Sequence, residues 1–448
     1  MLPPKKLIRS MIIADLADRE RQGHLVAGLS DELRTIPDSY DQLWAFALRL
    51  RHLPLRDDWP WHEPDDLAAI HAACDPERET TPIAAVDAVS IAPRVEAAFL
   101  TSVCGCILGK PLEVAATGHR IRAVAESVGQ WPLVDYVTEE LLVALGTRHG
   151  DAIDTRRGHI GYVACDDDLN YSIMGLMALE KYGATFTHEQ LRWLWLENLP
   201  ALWQWGPERT VNCKSAVHTL WDGSKDPVPF ADWVEVCNPG SEACGAAIRA
   251  DAYGFACPGD PARAAALAWR DASFTHRRTG IYATMFNAAA IAAAFVEPDP
   301  LRIFEIAARQ VPRRSRFRAA VDESLALVRA AGDWWDGYSR VHSRFEEHGH
   351  CQIYQETGTM INTLRFARDA AEGIGMQVGQ GNDTDSYGCT AGAILGARFG
   401  GIDPRWLAPF NDIIHTTIAG FHEQRLSAVA HRFGQLPARL AGADVAAG

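Results

Sequence analysis

The sequence of 448 residues lacks the motifs that identify several large protein classes. It contains ten cysteines but no CxxC pair and no zinc-type spacing of cysteine and histidine, so we predict reduced, mostly buried thiols. It contains neither a glycine-rich phosphate loop of the Walker type nor a serine-elbow motif. These absences argue against a zinc-finger protein, a P-loop nucleotide hydrolase and an α/β-hydrolase.

Long apolar runs are also missing. The longest, Ile281 to Val296, is interrupted by Asn287 and falls short of the ~20 residues needed to cross a bilayer, so we predict a buried core helix. The apolar run behind the basic residues of the N-terminus stops at Asp15, which is too short for a signal-peptide core. We therefore expect a cytoplasmic protein that does not bind membranes.

Positive charge is scarce relative to negative charge. Lys and Arg total 43 against 57 Asp and Glu, which gives a formal net charge of -14. Such a surface repels phosphate backbones, so generic nucleic-acid binding is not expected, although backbone amides or a bound cation can still hold a small anionic ligand. The sequence contains no indication of the oligomeric state.

The patterns that are present predict an all-α fold. Hydrophobic residues make up 48% of the chain, helical patterns such as Leu301 to Ala331 dominate, and alternating strand patterns are scarce. In the first part of the chain, an amphipathic segment from Tyr40 to His52 is followed by proline-rich and acidic breaks and by a polar stretch from Asp75 to Pro82. We predict an N-terminal helical extension over residues 1–90 and one large domain over residues 91–448.

An acidic run, Asp166, Asp167 and Asp168, immediately precedes the helical pattern from Leu169 to Tyr182. A short acidic run at this place is typical of an N-cap, which accepts hydrogen bonds from free amide groups. Three adjacent carboxylates exceed what one cap requires. In a concave site they would repel each other and resist ionisation unless a cation lay among them, so a metal site is the alternative.

A second polar segment, Gly381 to Ser386, contains Asp383 and Asp385 two residues apart, with the Ser386 hydroxyl next to them. These are hard oxygen ligands of the kind that Mg²⁺ and Ca²⁺ prefer, although a polar turn that caps a helix gives the same pattern. The segment does not match the calcium loop of an EF-hand. It leads into a helix in which Gly388 begins a series of glycines at every fourth residue, which predicts close approach of another helix.

A third segment, Gly105 to Glu113, is a glycine-containing helix end that delivers the Glu113 carboxylate; alone, it is best explained as an ordinary surface glutamate. Taken in order, the three segments resemble the ADP-ribosylglycohydrolase family over about Arg94 to Gly400. That family includes hydrolases of ADP-ribosyl-arginine and ADP-ribosyl-serine, the enzyme that reactivates ADP-ribosylated dinitrogenase reductase, and the J1 crystallins. A middle block strengthens the resemblance: Gly245 to Arg249, Pro258 to Pro261 and Asp271 to His276.

The resemblance implies an all-helical, ADP-ribosylglycohydrolase-like fold whose cleft binds two Mg²⁺ ions, sometimes Mn²⁺, with the N-terminal extension added to it. Glu113 matches the early glutamate of the family, and either Asp166 and Asp167 or, with a shift of one residue, Asp167 and Asp168 match its paired aspartates. The catalytic residues implied are Glu113, Asp167 and Asp168. The metal ligands implied are Asp166, Asp167, Asp168, Asp383, Asp385 and Ser386, and the substrate-binding residues are Gly109, Gly240, Ser241, Gly245 and His276.

The sequence also departs from the family pattern. Cys165 stands where Thr or Ser usually precedes the paired aspartates, Cys106 stands at a position often occupied by Asp, and Cys244 at one often occupied by Asn. We therefore expect contacts to the substrate that differ from those of better-known members.

The resemblance implies a Mg²⁺-dependent hydrolase in which water attacks the anomeric carbon of the ribose of an ADP-ribosylated protein or small molecule. Carboxylates suit this reaction, since positive charge develops at that carbon. The cysteine departures leave open a glycosidase of small nucleoside-like or sugar metabolites. The crystallins leave open a catalytically silent binding or structural protein.

Two further groups of residues have simpler explanations. A tryptophan cluster around Pro200 is predicted to pack in the core: Trp193, Trp195, Trp203 and Trp205. The segment Glu346 to His350 contains two glutamates and two histidines but lacks the HExxH spacing, so we predict a solvated loop.

Overall fold

The computed structural model describes residues 4–113, 116–146, 153–220 and 230–447, and within them helices are the dominant secondary structure, as predicted. The α-helices are α1 (Lys5–Arg21), α2 (Leu29–Thr35), α3 (Tyr40–Leu50), α4 (Leu67–Ala73), α5 (Ala92–Gly109), α6 (Gly118–Ser127), α7 (Glu139–Leu145), α8 (Asp167–Tyr182), α9 (His188–Asn198), α10 (Gly206–Leu220), α11 (Phe230–Glu235), α12 (Asp251–Ala256), α13 (Pro261–Ala272), α14 (Thr279–Ala294), α15 (Pro300–Arg309), α16 (Arg316–Arg329), α17 (Trp334–Phe345), α18 (Tyr354–Phe366), α19 (Ala370–Gly379), α20 (Thr384–Phe399), α21 (Leu426–Gly434) and α22 (Leu436–Ala447).

Short 3-10 helices and one hairpin complete the described part of the chain. The 3-10 helices are Lys110–Leu112, Ile153–Thr155, Gly183–Thr185, Ala201–Trp203, Cys244–Arg249, Pro404–Trp406 and Ala408–Phe410. Strands β1 (Ile413–His415) and β2 (Glu423–Arg425) pair antiparallel, with Ile414 opposite Gln424. The all-α prediction is therefore confirmed.

The centre of the domain is the contact between α5 and α20, where the predicted glycine series lies. A Cβ atom on Gly388 would lie 2.5 Å from the Gly105 carbonyl oxygen, and one on Gly392 would lie 2.6 Å from the Thr101 carbonyl oxygen. Real Cβ atoms do not approach backbone so closely, so only glycine allows the two helix backbones to touch here. The prediction of a close helix contact is confirmed.

Two core helices carry most of the apolar sequence. Helix α14 is buried along its whole length, as predicted for the run from Ile281. The continuous helical segment Ala92–Leu112 is, of the described residues, the one long and apolar enough to cross a membrane, but 83% of its most apolar window is buried inside the protein. Because it packs against α20, this segment is explained as a core helix.

The N-terminal extension has a small core of its own. Ile12, Leu16, Phe46 and their neighbours from α1, α2 and α3 form a cluster that also includes Val236 and Cys237 of the large domain. In contrast, Ile70 and Cys74 belong to the main core. The boundary at residue 90 stays a prediction, and the extension packs directly on the large domain.

The segment that follows α3 is tied to the large domain by hydrogen bonds. The Arg278 amide donates to Asp65 (2.6 Å), and the Tyr282 hydroxyl donates to the Pro64 carbonyl (2.6 Å). The Trp269 indole donates to the Asp65 carbonyl at 2.9 Å. These contacts fix residues of the extension beside the start of α14.

The tryptophan prediction is correct for one residue. Trp195 is fully buried, whereas Trp193, Trp203 and Trp205 are 39%, 38% and 55% exposed. The core assignment was wrong for these three, because a mixed spacing of aromatic residues places some of them on the outer face of the helices.

Candidate active site

Three chain segments bring carboxylates to one place at helix ends. Glu113 follows the 3-10 turn at the end of α5, and Asp383 is the residue before α20, whose first turn contains Asp385. The Thr384 hydroxyl donates to the Gly109 carbonyl at 2.7 Å, and a Cβ on Gly109 would lie 2.0 Å from the Thr384 carbonyl oxygen. The close contact between α5 and α20 therefore fixes these two segments against each other.

The third segment is the acidic run before α8. One oxygen of Asp166 accepts a hydrogen bond from the Asp168 amide at 2.9 Å, so Asp166 is the N-cap that the sequence suggested. Its other oxygen is ion-paired with the buried ammonium group of Lys110. Asp168 accepts a hydrogen bond from the Ser386 hydroxyl at 3.4 Å, and its other oxygen is buried without a hydrogen-bond partner. The cap and the candidate site thus use the same residues.

A histidine joins the segments on the other side. Nε2 of His350 lies 3.5 Å from a carboxylate oxygen of Glu113, and the ligand atoms of Glu113, His350 and Asp383 lie within 4.8 Å of one another. The predicted solvated loop was wrong at this position: His350 turns inward, while the neighbouring glutamates stay exposed. The structure therefore brings together Glu113, the run at 166–168 and the turn at 383–386.

The electrostatics show a surplus of negative charge in this place. Burial and the neighbouring Asp166 raise the pKa of Asp167 and of Asp168 well above the usual value. Burial and the charge of Glu113 do the same to the pKa of Asp385. Full ionisation of this cluster is therefore costly in the absence of a cation.

Lys110 supplies part of the missing positive charge. Burial acts to lower the pKa of Lys110, but the carboxylates of Asp166 and Asp385 raise it above its usual value. Burial likewise acts to raise the pKa of Asp166, yet Lys110 and the Asp168 amide hold it below the usual value. Sequence reasoning missed Lys110, although it lies inside the motif from Gly105 to Glu113.

Glu356 in α18 is a further acidic residue that the sequence did not suggest. It is almost fully buried, one oxygen accepts from the Asn382 side chain at 2.9 Å, and the other has no hydrogen-bond partner. Burial and the nearby Asp383 raise the pKa of Glu356 to about 8. Nothing in its local sequence distinguishes it from any helical glutamate.

Two of the cysteines that depart from the family pattern, Cys106 and Cys244, lie at the same carboxylates. The ligand atoms of Cys106, Asp166 and Asp168 lie within 4.8 Å of one another, and so do those of Cys244, Cys351 and Asp383. Thiols thus stand beside the oxygen ligands on both sides of the cluster.

A cavity of about 640 Å³ leads away from His350 and Cys351. The N-terminal extension forms one wall with Asp18, Arg21 and Trp61, and the large domain contributes residues of α16 and α17. The volume is within the range of small-molecule binding sites. Ligands in this cavity would reach the side of the cluster where Glu113, His350 and Asp383 meet.

The predicted substrate-binding residues divide into two groups. Gly240 lies on the cavity wall with positive φ, and its amide donates to the Asp18 carboxylate at 2.7 Å. Ser241 follows it, and its carbonyl accepts from the Arg277 amide at 2.8 Å.

Like Ser241, the other three predicted substrate residues are not among those that line the cavity. Gly109 lies in the contact between α5 and α20, and a Cβ on Gly245 would meet the Glu208 carboxylate at 2.7 Å. His276 is fully buried, with Nδ1 2.8 Å from the Thr275 hydroxyl. The contacts that the structure shows for these residues are packing contacts, and their contacts with substrate stay predictions.

The donor set of the cluster fits hard divalent cations. It offers carboxylate and hydroxyl oxygens from Asp166, Asp167, Asp168, Asp383, Asp385 and Ser386. The buried Asp168 oxygen without a hydrogen-bond partner is an unmet demand for a cation or a donor. Oxygen ligands of this kind suit Mg²⁺ and Mn²⁺.

Comparison with known proteins gives a family for this chain. Residues 87–439 match the family model described as ADP-ribosylglycohydrolase. A solved structure titled "ADP-ribosylglycohydrolase-related protein complex" matches with a TM-score of 0.49 and 18% identity, over 77% of this chain and 98% of that chain. No curated protein sequence matches the chain.

Proposed function

The chain belongs to the ADP-ribosylglycohydrolase family, and from this premise we propose that it is a Mg²⁺-dependent hydrolase of the glycosidic bond of an ADP-ribosylated protein or small molecule. The observation that carries the proposal is the meeting of carboxylates from three distant segments beside His350, which lines a cavity of about 640 Å³. A glycosidic hydrolase needs such carboxylates on the side of the ribose where positive charge develops.

Two Mg²⁺ ions, or Mn²⁺ in their place, are the proposed cofactors. The residues that would hold them are Asp166, Asp167, Asp168, Asp383, Asp385 and Ser386. When bound, such ions would orient the ribose hydroxyls and offset the mutual repulsion of the carboxylates. Lys110 remains on Asp166 as a fixed positive charge, since their ion pair is buried.

Glu113 is the proposed general base. Its side chain is 22% exposed and lies beside His350 at the end of the cavity, so it is reachable by water and by a ligand. It accepts a proton from the water that attacks the anomeric carbon, while the bond to the leaving nitrogen or oxygen breaks and its electron pair stays with that atom. Asp167 and Asp168 stabilise the positive charge on the ribose.

The cavity supports a substrate with aromatic and anionic parts. Trp61 offers a ring on which a base can stack, and the Arg21 side chain beside it is 63% exposed. Arg316 adds a guanidinium held by Glu63 and Glu242 at 2.8 Å. The ring suits the adenine of ADP-ribose, and the exposed Arg21 guanidinium, which is ion-paired with Asp18, is the group offered to its diphosphate.

The decisive experiment measures ribosyl release by the full chain from a panel of ADP-ribosylated proteins, nucleic acids and N-ribosides, with Mg²⁺ and with chelator. Glu113→Gln and Asp385→Asn should each lower the rate by a factor on the order of 10² to 10⁴, because each removes a group that acts in the transition state. Glu347→Gln is the matched control, since this carboxylate lies near His350 in sequence but is 68% exposed. Release of no ribosyl product from any substrate would reject the proposal.

The thiols at the cluster favour one alternative, a glycosidase of small nucleoside-like or sugar metabolites. Cys244 and Cys106 stand at the carboxylates where the family often has Asn and Asp, which alters the polar groups offered to the substrate. Thermal stabilisation by ADP-ribose that is no larger than stabilisation by ribose would favour this alternative.

A catalytically silent binding protein is the remaining alternative, since the family includes crystallins. It predicts no divalent metal binding by calorimetry and unchanged melting in chelator.

A further inference from the structure

Two cysteines from distant parts of the chain face one carboxylate of the cluster. Cys244 begins the 3-10 helix that precedes α12, and Cys351 lies three residues before α18. The Cys244 amide donates to the Cys351 carbonyl at 3.1 Å, which holds the two backbones side by side. Neither residue is joined in a disulfide.

The two sulfur atoms lie against the same oxygen of Asp383. Sγ of Cys244 is 3.3 Å from Oδ2 of Asp383, and Sγ of Cys351 is 3.7 Å from the same atom. All three ligand atoms lie within 4.8 Å of one another. The two sulfur atoms and the carboxylate oxygen therefore form a compact triangle of possible metal ligands.

These separations match those of ligands on a tetrahedral metal. With Zn–S bonds of about 2.3 Å and Zn–O bonds of about 2.0 Å, tetrahedral angles place neighbouring ligand atoms roughly 3.5 to 3.8 Å apart. Two thiolates and one carboxylate are a ligand set that selects zinc and similar cations over Mg²⁺, because sulfur is a soft donor. Thiol hydrogen bonds to a bare carboxylate would give similar distances, so the ion has to be tested directly.

Another buried carboxylate lies near Asp383 and Cys351 but outside the group of ligand atoms that lie within 4.8 Å of one another. One Glu356 oxygen is buried without a hydrogen-bond partner, and this residue interacts electrostatically with both Asp383 and Cys351. Cys244 is 7% exposed, whereas Cys351 lies on the wall of the cavity. A cation would thus have an entry path from the cavity and a largely buried site.

We propose that Cys244, Cys351 and Asp383 bind one thiophilic divalent cation, of which Zn²⁺ is the biologically common example. The site shares Asp383 with the proposed Mg²⁺ centre but does not depend on hydrolase activity. Because one carboxylate serves both sites, binding at either site changes affinity at the other by the same factor. We expect Zn²⁺ to weaken Mg²⁺ binding.

Cadmium titration of the metal-free full chain tests the site, because Cd²⁺ bound to thiolate gives an ultraviolet charge-transfer absorption. The titration is performed with a phosphine reductant, which keeps the thiols reduced, and without Mg²⁺, because Mg²⁺ bound at Asp383 would weaken Cd²⁺ binding. We expect one equivalent of Cd²⁺ to produce the band, and Cys244→Ser and Cys351→Ser each to lower it by half or more.

Two other cysteines provide matched controls. Cys106 stands beside Asp166 and Asp168 on the opposite side of the cluster, and Cys213 is exposed on α10. Cys106→Ser and Cys213→Ser should leave the band unchanged. No band in the wild type, or a band lost in Cys106→Ser and kept in Cys244→Ser, would overturn the proposal.

X-ray absorption spectroscopy of the zinc-loaded wild type is a second test, and it does not depend on whether a variant folds. Two sulfur scatterers at about 2.3 Å are expected, and a shell of oxygen and nitrogen alone would overturn the site. Neither measurement uses turnover. A thiolate band without hydrolysis keeps this site and rejects the proposed function, and hydrolysis without the band does the reverse.

Discussion

Two buried clusters of charged groups lie in the same helical domain and differ in charge balance. In the first, the Arg249 guanidinium lies between Glu208 at 2.6 Å and Asp271 at 2.5 Å, and it also donates to the Thr275 hydroxyl at 2.9 Å. In the second, the Lys110 ammonium group is ion-paired with Asp166, and four further carboxylates lie in segments 166–168 and 383–385. The first cluster thus opposes two carboxylates with one guanidinium, and burial raises the pKa of Glu208 to about 7, whereas the second opposes five carboxylates with one ammonium group.

The difference separates a structural cluster from a candidate ligand site. A buried ion pair whose hydrogen bonds are satisfied needs nothing from outside, whereas surplus buried carboxylates need a cation or a proton. The two clusters also differ in access: His276, beside Glu208, is fully buried, while His350 borders the cavity. Residues of the middle block, Gly245 to Arg249 and Asp271 to His276, therefore contribute to the structural cluster.

The largest expected effect is on the cluster around Arg249. Arg249→Met should lower the free energy of unfolding by about 3–5 kcal/mol, because it leaves Glu208 and Asp271 buried without a counter-charge. Urea unfolding measures it. Arg329→Met is the control, since this arginine is 48% exposed and its ion pair with Glu305 contributes at most about 1 kcal/mol. Equal losses in the two variants would contradict the structural assignment.

Removing a carboxylate from the acidic cluster should not destabilise the metal-free protein, in contrast to the loss of Arg249. Metal-free Asp385→Asn is expected to unfold no more easily than the wild type, because the substitution removes a repelling carboxylate. Mg²⁺ at about 100 times its dissociation constant should stabilise the wild type by about 2.7 kcal/mol and the variant far less. Differential scanning calorimetry with and without Mg²⁺ measures both. A metal-free variant as unstable as Arg249→Met would place Asp385 in a structural cluster.

Sequence predicted the large features because they depend on repeated patterns. The glycine series at every fourth residue predicted a close helix contact, which the structure shows between α20 and α5, and three acidic motifs supplied the carboxylates that the structure brings together. The resemblance supplied the link between segments that lie far apart in the chain. The local sequence does not indicate which distant segments come together in space. Without the resemblance, the three acidic segments would have been interpreted as three separate helix ends.

The positions of individual side chains were harder to predict from the sequence, because contacts between distant segments decide which side chains are buried. Lys110 beside a proline is typical of an exposed helix end, yet it is buried against Asp166. His350 stands in a run of exposed charged residues but turns toward Glu113. His276, which the resemblance assigned to substrate, is fully buried with Nδ1 2.8 Å from the Thr275 hydroxyl, and its role stays a prediction.

The pH dependence of stability offers a third test. Burial raises the pKa of Asp251 to about 8, with a weak opposing contact from Cys389. A raised pKa in the folded state means that its stabilising effect is complete below about pH 4 and is lost as pH rises toward 8. The metal-free protein should therefore lose on the order of 1–2 kcal/mol between about pH 6 and pH 8 from this group. Asp251→Asn should flatten the urea-unfolding profile over that range, and an equally steep profile would contradict the assignment.

The smallest expected effect tests the difference in access between the clusters. Trp61 lies on the wall of the cavity that opens at His350, and it belongs to the N-terminal extension, outside the residues 87–439 that match the family model. If the acidic cluster binds the substrate from this cavity, Trp61→Ala should weaken ADP-ribose binding because a stacking surface is lost. We expect a loss of about tenfold in affinity, or about 1.4 kcal/mol, measured by calorimetry. Melting should change little, since the side chain is only half-buried.

Trp203→Ala is the matched control, because Trp203 is 38% exposed and does not line this cavity. Equal affinity in both variants would remove the extension from the binding site, and the acidic cluster would then have to meet its substrate from the large domain alone.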